Sequence, residues 1–338
     1  TPLINLDRDN ELQVEVDNSY NEDIPPLSAD FTFYGGLYRQ VYLEALDPVH
    51  FSVNDHGADA VYISTPLVST KKALVNIQCT VMNEAPATKE ITVVSTVYDA
   101  RGTKKGVAVR TIQVPAGKEE NIAQQIQSVN NPKLWSPDAP YLYKLVTQII
   151  DKTTGSVLDE VINPLGFRWY SFDPGKGFFL NGKPLKLTGT SRHQDYEGMG
   201  NAVPENLARQ DILWLKEMGG NFLRVAHYPQ DPVVLHTCDS LGILASVEIP
   251  VVNEISESDS FFANCINMQT EMIRQNYNHP SVIIWCSMNE VLLRPHFTTD
   301  KPRQKEYFAR VAHLAKSLDS LSRKMDPSRY TMIAFHGD

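Results

Sequence analysis

The sequence predicts a multidomain protein with a β-rich first half and an α/β second half. Up to about residue 165, runs rich in Val, Ile, Tyr and Thr are separated by clusters of Pro, Gly, Asn and Asp. This is the pattern of β-strands joined by turns. After Gly166, apolar residues recur at helical spacing between short strand-like runs, which indicates alternating strands and helices. The change of period marks the main domain boundary.

The β-rich half divides at a polar stretch that contains Pro48 and Gly57, and a boundary near residue 56 is predicted there. Residues 1–56 hold two strand-like runs, ELQVEV and RQVYLEAL, which are too few for a closed sandwich. This segment is therefore incomplete or completed by another part of the protein. Residues 57–165 hold roughly seven strands, enough for one immunoglobulin-like β-sandwich.

The second half reads as repeated βα units. Asn181 and Gly182 stand between two apolar runs, which is typical of a tight hairpin turn. Asp231 and Pro232 are suited to begin a helix, as N-cap and first helical residue. Four helices are predicted, with apolar positions at Ala208, Ile212 and Leu215; at Val234, Leu235, Cys238 and Leu241; within about 260–277; and at Tyr307, Val311, Leu314, Leu318 and Leu321.

Five strands and four helical crossovers without a Gly-rich phosphate loop favour a (β/α)8 TIM barrel over a dinucleotide-binding sheet. Residues 166–338 fall well short of the about 250 residues of a typical barrel. The sequence therefore predicts an incomplete barrel that lacks roughly three βα units.

Charge and hydropathy exclude several classes of partner. The net charge is -9, and no basic cluster suits a phosphate backbone, so nucleic acid is not an expected partner. No apolar stretch is long enough to cross a bilayer, so no membrane association is expected. The first residues, TPLINLDRDNELQVEV, show no signal peptide. If this chain begins inside a longer protein, a signal peptide would lie outside it, so the compartment (cytoplasmic, periplasmic or secreted) stays open.

The four cysteines are expected to be buried free thiols. Cys79, Cys238, Cys265 and Cys286 are scattered, without a CxxC pair. Three of them have apolar neighbours, which favours burial over a disulfide framework.

Polar side chains recur at the predicted carboxyl ends of the barrel strands, where barrel enzymes place their active sites. They are Arg192, His193 and Asp195 after the first strand, Arg224 and His227 after the second, Glu248 after the third, and Asn289 and Glu290 after the fourth. Glycoside hydrolysis needs two carboxyl groups, and a hydrogen bond to the sugar 2-hydroxyl strengthens as the transition state develops. Glu290 fits the acid role, and Asn289 fits the hydrogen-bonding role.

Several motifs in a fixed order resemble glycoside hydrolase family 2, the family of β-galactosidases, β-glucuronidases and β-mannosidases. GGLYRQVYL resembles the end of its sugar-binding jelly-roll domain, and LWSPDAPYLYKL resembles the last strands of its immunoglobulin-like domain. GFRW, FFLNGKPLKLTGTSRHQD, NFLRVAHYPQDPVVLHTCDSLGILASVEIP and NHPSVIIWCSMNE follow in barrel order. The resemblance covers nearly the whole chain and implies domains at 1–56, 57–165 and 166–338.

This resemblance implies a role for individual residues. Glu290 would be the general acid/base and Asn289 the ligand of the 2-hydroxyl. Arg224, His227 and His193 would line the subsite of the non-reducing-end sugar.

Other positions are weaker candidates or departures from the family. Tyr228 and Asp195 are weaker candidates for sugar contacts. The family's nucleophilic Glu follows the seventh strand, so it is expected outside this chain, and Glu248 is not expected to replace it. Val252 and Glu254 stand where metal-dependent relatives carry a Glu and a His, so neither a metal nor a cofactor is expected.

The resemblance implies a retaining exo-β-glycosidase, and the RH and RVAHYP stretches favour terminal β-D-galactosides. β-Glucuronides and β-mannosides are the alternatives. The carbohydrate substrate is the expected partner, together with a homo-oligomer, since large enzymes of this type are often oligomeric. By itself this chain is expected to have little or no activity.

Two other classes stay open from the residues alone. His193, His227, Asp195 and Glu290 are a possible ligand set for a metal-dependent barrel hydrolase, although SRHQD contains a single histidine. A non-catalytic carbohydrate-binding protein is the second, and the missing nucleophile favours it.

Overall fold

The computed structural model describes residues 4–5, 7–293 and 296–335, and the described residues before Val49 form neither helix nor strand. The strands predicted from ELQVEV (11–16) and RQVYLEAL (39–46) are wrong, because both runs are exposed and without strand structure. The backbone N–H and C=O groups of a β-strand form their hydrogen bonds with a neighbouring strand. Within the described residues, neither run pairs with one. The assignment of residues 1–56 to a sugar-binding domain stays a prediction.

Two antiparallel sheets pack face to face after this segment. In chain order the strands are β1 (Val49–Phe51), β2 (Val61–Val68), β3 (Lys72–Asn83), β4 (Lys89–Tyr98), β5 (Lys104–Val114), β6 (Lys118–Asn130), β7 (Trp135–Ser136), β8 (Ala139–Pro140), β9 (Tyr143–Asp151) and β10 (Val157–Leu165). In the first sheet, β3 pairs with β6 along one edge and with β1 and β2 along the other. The second sheet has the order β10-β9-β4-β5.

Alternation along the strands explains the core of this sandwich. In β3, every second side chain is buried over most of its length, as expected for a strand with one face on a core. Val75, Ile77, Ile91 and Ile149 are fully buried between the sheets, and burying each such side chain stabilises the fold by about 1.5–3 kcal/mol. The immunoglobulin-like topology stays a prediction.

One strand reaches across the predicted boundary. Strand β1, which the sequence assigned to the first domain, pairs with the end of β3. Val49–Phe51 therefore join the first sheet of the sandwich, and the division of the chain into domains stays a prediction. The polar stretch that suggested residue 56 is the loop between two strands of this sheet.

The second half contains strands and helices in alternation. In chain order they are β11 (Tyr170–Asp173), β12 (Gly177–Leu180), β13 (Lys183–Pro184), β14 (Gly189–Arg192), α1 (Glu205–Glu217), β15 (Phe222–Val225), α2 (Pro232–Leu241), β16 (Leu244–Glu248), α3 (Asp259–Asn276), β17 (Val282–Asn289), α4 (Lys301–Met325) and β18 (Tyr330–Ala334). The hairpin is confirmed: Asn181 and Gly182 have φ values of 52° and 78° between β12 and β13, as a type I′ turn requires.

Strands β14 to β18 form one parallel sheet in chain order, which confirms the predicted five strands and four crossovers of an incomplete barrel. Helix α2 begins where the sequence predicts, since Asp231 Oδ1 accepts a hydrogen bond from the backbone N of Val233 at 2.9 Å. It ends at Gly242, whose φ of 73° is a left-handed cap. Every residue of β17 is buried, because helices cover a parallel sheet on its outer face.

Contacts join the sandwich to the barrel. Trp135 Nε1 donates to the Asp239 carbonyl oxygen at 2.8 Å. The Asn278 side chain donates to the Val61 carbonyl oxygen and accepts from the Ile63 backbone N. All four cysteines are buried and free, as predicted. Among the described residues, no helix combines the length and the apolar character needed to cross a bilayer.

Candidate active site

The carboxyl ends of the parallel strands bring the predicted site residues together. Strand β17 ends at Asn289, and Glu290 follows with a φ of 53°, which is uncommon for a residue other than glycine. The Glu290 backbone N donates to the carbonyl oxygen of Ala334 at the end of β18. The carboxylate of Glu290 therefore stands at the edge of the sheet, half-buried, where the strand gives way to a loop.

A charged network fills the neighbouring strand ends. Arg224 Nη2 donates to Glu248 Oε2 at 3.0 Å and to Asn289 Oδ1 at 2.7 Å. His227 Nδ1 lies 2.7 Å from Glu248 Oε1. The same nitrogen lies 3.2 Å from Arg224 Nη2, which is a donor, but the contact with Glu248 is shorter and a carboxylate only accepts, so the proton is assigned to this nitrogen. Glu248 is only 1% exposed, and both its oxygens are occupied by partners from β15 and the residues that follow it.

Arg224 also sets the orientation of the Asn289 side chain. Because Asn289 Oδ1 accepts from Arg224, its Nδ2 group must face the other way. The Nδ2 group lies 3.4 Å from Glu290 Oε2, which is a long hydrogen bond. The network therefore presents an amide donor beside a carboxylate that is not engaged in an ion pair among the described residues.

His193 lies on the far side of His227, with their ring centroids 5.1 Å apart. Its Nδ1 is 3.3 Å from the Tyr228 hydroxyl. Burial, and then the neighbouring His227, lower the pKa of His193, which favours a neutral ring. Asp195 is exposed, and the structure gives it no side-chain contact with Asn289 or Glu290.

Other polar residues at this edge have structural contacts. Arg192 is buried and donates to Asp211 Oδ2 at 2.9 Å and to Gln230 Oε1 at 2.5 Å. Trp285 lies in the barrel core and Cys286 in a neighbouring apolar cluster. Both side chains therefore contribute to packing.

An aromatic residue of the amino-terminal segment also reaches the site, and sequence reasoning missed it. The Phe31 ring lies 5.1 Å from Tyr228, 5.3 Å from His193 and 6.1 Å from His227, measured between centroids. The site therefore has a wall that does not come from the barrel.

Hydrogen bonds tie this segment to the barrel. Ser28 Oγ donates to Glu254 Oε1 at 2.6 Å, and Arg39 Nη2 donates to the Pro229 carbonyl oxygen at 2.8 Å. No spacing in the sequence signals contacts over such separations, so only the folded structure reveals them. The Glu254 carboxylate accepts from Ser28 and lies 2.9 Å from His296 Nε2.

Comparison with known proteins identifies the family. The family described as glycosyl hydrolases family 2 matches residues 58–168, and its TIM barrel domain matches residues 174–329. These matches cover the sandwich and the parallel sheet with its helices. The chain belongs to glycosyl hydrolase family 2.

The individual relatives include proteins named β-glucuronidase and proteins named β-galactosidase. A β-glucuronidase of Bacteroides fragilis is 34% identical over 348 residues, which cover 100% of this chain and 47% of that protein. A β-galactosidase of Bacteroides ovatus is 33% identical over 297 residues, which cover 86% of this chain and 33% of that protein. The chain thus spans less than half the length of these relatives.

Solved structures share the fold in detail. A β-glucuronidase of Bacteroides uniformis superposes with a TM-score of 0.92 and 41% identity, covering 96% of this chain and 38% of that one. A β-glucuronidase of the same organism has been solved covalently bound to cyclophellitol-6-carboxylate aziridine, with the same TM-score and identity. The prediction of β-galactoside specificity is not confirmed, because both names occur among the relatives.

Proposed function

We propose that this chain is the acid/base-bearing part of a retaining exo-β-glycosidase. The observation that carries the proposal is the convergence of Arg224, His227, Glu248, Asn289 and Glu290 at the carboxyl edge of the barrel sheet. Family membership supports the same reaction class. Among the described residues, Glu290 is the carboxylate of this group without an ion pair, which suits a group that exchanges protons with a substrate.

In the proposed first step, a nucleophilic carboxylate bonds the anomeric carbon, the bond from that carbon to the glycosidic oxygen breaks, and Glu290 gives its proton to this oxygen. The aglycone leaves as a neutral alcohol, and Glu290 is left as a carboxylate. In the second step the Glu290 carboxylate takes a proton from water, the water oxygen bonds the anomeric carbon, and the bond between that carbon and the nucleophile breaks, which releases the sugar. Glu290 ends protonated and ready for the next cycle.

The nucleophile that holds the sugar between the two steps is proposed to lie outside these 338 residues. Glu248 is a poor candidate, since both its oxygens already accept hydrogen bonds from Arg224 and His227. A nucleophile in this role must be free to bond the anomeric carbon. Glu248 is instead proposed as a positioning residue that holds the side chains of Arg224 and His227 in place.

Asn289 is proposed to donate its Nδ2 proton to the sugar 2-hydroxyl. Arg224 holds the amide oxygen at 2.7 Å, so the donor side is preoriented toward Glu290. A hydrogen bond to this hydroxyl strengthens as positive charge develops at the anomeric carbon. His193 and Tyr228, with Phe31, are proposed to line the sugar subsite.

We propose β-glucuronides as the first substrate class and β-galactosides as the second. Relatives named β-glucuronidase include the protein with a covalently bound 6-carboxylate ligand, whereas β-galactosidase names favour the second class. A glucuronidase must supply cationic or amide donors for the sugar carboxylate. A galactosidase needs neutral hydrogen-bond partners at the same position.

The test uses the complete protein that contains this chain. Hydrolysis of the nitrophenyl β-glucuronide, β-galactoside, β-mannoside and β-glucoside is measured side by side, with the 338-residue chain as a parallel sample. Turnover of one sugar by the complete protein supports the proposal and names the substrate. Failure to cleave all four, in a sample shown to be folded, contradicts the glycosidase proposal. Equal turnover by the 338-residue chain contradicts the external nucleophile.

A further inference from the structure

The side chain of Gln230 joins the ends of the two strands that precede His193 and His227. Gln230 is buried and directly precedes Asp231, the N-cap of α2. Its amide lies against backbone groups at the carboxyl ends of β14 and β15. A buried side-chain amide needs partners for both its oxygen and its NH2 group. The choice of partners therefore shows what this residue holds in place.

The amide of Gln230 makes three hydrogen bonds. Its Nε2 donates to the carbonyl oxygen of Arg192, the last residue of β14, and to that of Ala226, which follows β15, at 3.1 Å. Its Oε1 accepts from Arg192 Nη1 at 2.5 Å. The opposite orientation of the amide would set acceptor against acceptor and donor against donor. The chemistry of the three partners therefore fixes which way the amide points.

This bridge begins where the backbone pairing of the two strands ends. The last pair in the parallel register of β14 and β15 is Arg192 with Val225. Beyond it, the Ala226 backbone N donates to the Arg192 carbonyl oxygen at 3.3 Å, which is a long bond. The first three residues of β14 are exposed, so packing alone holds this strand weakly. Gln230 supplies the additional link between the two strand ends.

Arg192 connects the bridge to helix α1. Its Nε donates to Asp211 Oδ2 at 2.9 Å, and the Tyr196 hydroxyl donates to Asp211 Oδ1. The Arg192 side chain is buried, where a hydrogen bond from a charged donor is stronger than one in water. Gln230 is thus held by a side chain that is itself fixed, as a rigid support for a binding site requires.

The two carbonyl groups that Gln230 binds belong to the residues directly before His193 and His227. The rings of these histidines lie 5.1 Å apart between centroids. His227 Nδ1 contacts Glu248 Oε1 at 2.7 Å. His193 Nδ1 lies 3.3 Å from the Tyr228 hydroxyl. A shift of either peptide group would move the ring that follows it and change the shape of the proposed sugar subsite.

We propose that Gln230 is a positioning residue of the sugar subsite, which sets the separation of His193 and His227 through the two carbonyl groups it binds. This inference rests on the proposed glycosidase function and deepens it. The role is specific to an amide, because one atom accepts from the Arg192 guanidinium while the NH2 group donates to two carbonyl oxygens. A carboxylate of the same shape keeps the acceptor and loses both donors.

The test compares Gln230→Glu with wild type in the complete protein. The introduced carboxylate still accepts from Arg192, but it sets an acceptor against both carbonyl oxygens, so the strand ends should move apart. A misplacement of about 1 Å costs about 10²-fold in rate, and kcat/KM on the glycoside that wild type cleaves is expected to fall by about this amount. Most of the loss should be a raised KM, because a subsite contact binds ground state and transition state alike.

Gln275→Glu is the matched control. Gln275 Nε2 also donates to a backbone carbonyl oxygen, that of His56, at 2.6 Å. It lies at the carboxyl end of α3, just before the amino end of β17, so its loss should leave KM unchanged. Circular dichroism gives the folded fraction of each sample. An unchanged KM for Gln230→Glu, with kcat reduced in proportion to the unfolded fraction, would leave Gln230 a role in stability alone and overturn the proposal.

A second variant covers the case in which Gln230→Glu does not fold. Gln230→Asn keeps the amide but shortens its reach by one methylene group, so KM should again rise, by less than about 10²-fold. If this is the variant that folds, a KM equal to that of wild type overturns the proposal.

A structural measurement separates this inference from the proposed reaction. Crystal structures of the complete wild type and of the folded variant give the separation of the His193 and His227 rings directly. A change of about 1 Å is expected, and an unchanged separation overturns the positioning role. If wild type cleaves no glycoside, the proposed function fails, and the ring separation alone decides whether Gln230 positions the two histidines.

Discussion

The two ends of strand β17 are both rich in charge, yet they differ in how that charge is satisfied. At the amino end, Arg329 donates to the carbonyl oxygens of Val282, Tyr277 and His279 and pairs with Asp326 at 2.6 Å. At the carboxyl end, the polar contact of the Glu290 carboxylate among the described residues is a 3.4 Å hydrogen bond from its neighbour. Within that part of the chain, the charges of the first end are paired and the carboxylate of the second end is not.

This difference shows that buried charge alone does not identify an active site. Asp326 is fully buried and Arg329 is 8% exposed, and their groups are matched by partners in a way typical of structural networks. A catalytic carboxylate must keep capacity for a substrate atom. The unsatisfied end of the strand, and not the more buried one, is therefore the better candidate.

The largest effect should come from the carboxyl end. In the complete enzyme, Glu290→Gln removes the proton donor, and turnover of a glycoside with a poor leaving group is expected to fall by about 10²–10⁴-fold. The leaving group of a nitrophenyl glycoside needs less help from protonation, so turnover of this substrate should fall less. Steady-state kcat/KM on both substrates is the measurement. Glu84→Gln, at an exposed position of the sandwich, is the control, and equal losses on both substrates would count against the acid role.

At the amino end the same kind of substitution should affect stability. Asp326→Ala leaves the Arg329 charge buried without its partner, and a loss of about 3–5 kcal/mol in the free energy of unfolding is expected. Chemical denaturation monitored by circular dichroism measures this. Asp138→Ala, at an exposed position, should change stability by less than about 0.5 kcal/mol. A similar small change for Asp326→Ala would remove the distinction between the two ends.

An intermediate effect is expected from Glu248, which belongs to the carboxyl end but is fully satisfied. Glu248→Gln loosens Arg224 and His227 without removing a proton donor. Misplacement of groups by about 1 Å costs about 10²-fold in rate, so kcat/KM should fall by about this amount, less than the largest loss expected for Glu290→Gln. The measurement is kcat/KM as a function of pH. If Glu248 only positions its partners, the acid limb of this profile should lie at the same pH in Glu248→Gln as in wild type. A shifted acid limb would assign Glu248 a proton-transfer role.

The smallest effect concerns acid pH. Burial by itself would raise the pKa of Asp326, but Arg329 and hydrogen bonds from Ser328 and Trp285 outweigh it, so its pKa is lowered from 3.8. A lowered pKa means that this stabilisation is complete above the unfolded-state value and is lost as pH falls below it. Unfolding free energies measured from pH 5 downward should therefore decline less steeply for Asp326→Asn than for wild type. Parallel declines would refute this linkage.

The barrel half was predictable because its signals are local and agree with one another. Asp231, Pro232 and Gly242 mark both ends of α2, and the periodicity of Val311, Leu314 and Leu318 identifies the buried face of α4. The strand-like runs of the sequence correspond to the parallel strands β14 to β18, so the polar residues that follow them lie at one edge of the sheet. In this half, local sequence signals were sufficient to predict the helices and strands.

The remaining features depend on contacts between distant segments. The runs 11–16 and 39–46 have strand composition, but composition does not supply a pairing partner. Phe31 has no spacing motif, because folding and not sequence order brings it to His193 and Tyr228. The pairing of Glu248 with Arg224 and His227 was missed for the same reason.

The placement of Phe31 has a consequence for inheritance. One wall of the proposed sugar subsite is encoded before the sandwich begins at Val49, while the acid/base is encoded in the barrel. A gene fusion that kept residues 49–338 and replaced the preceding segment would exchange this wall without altering a barrel codon. Selectivity among sugars would then diverge through recombination between domains, and the barrel sequence alone would not record the change.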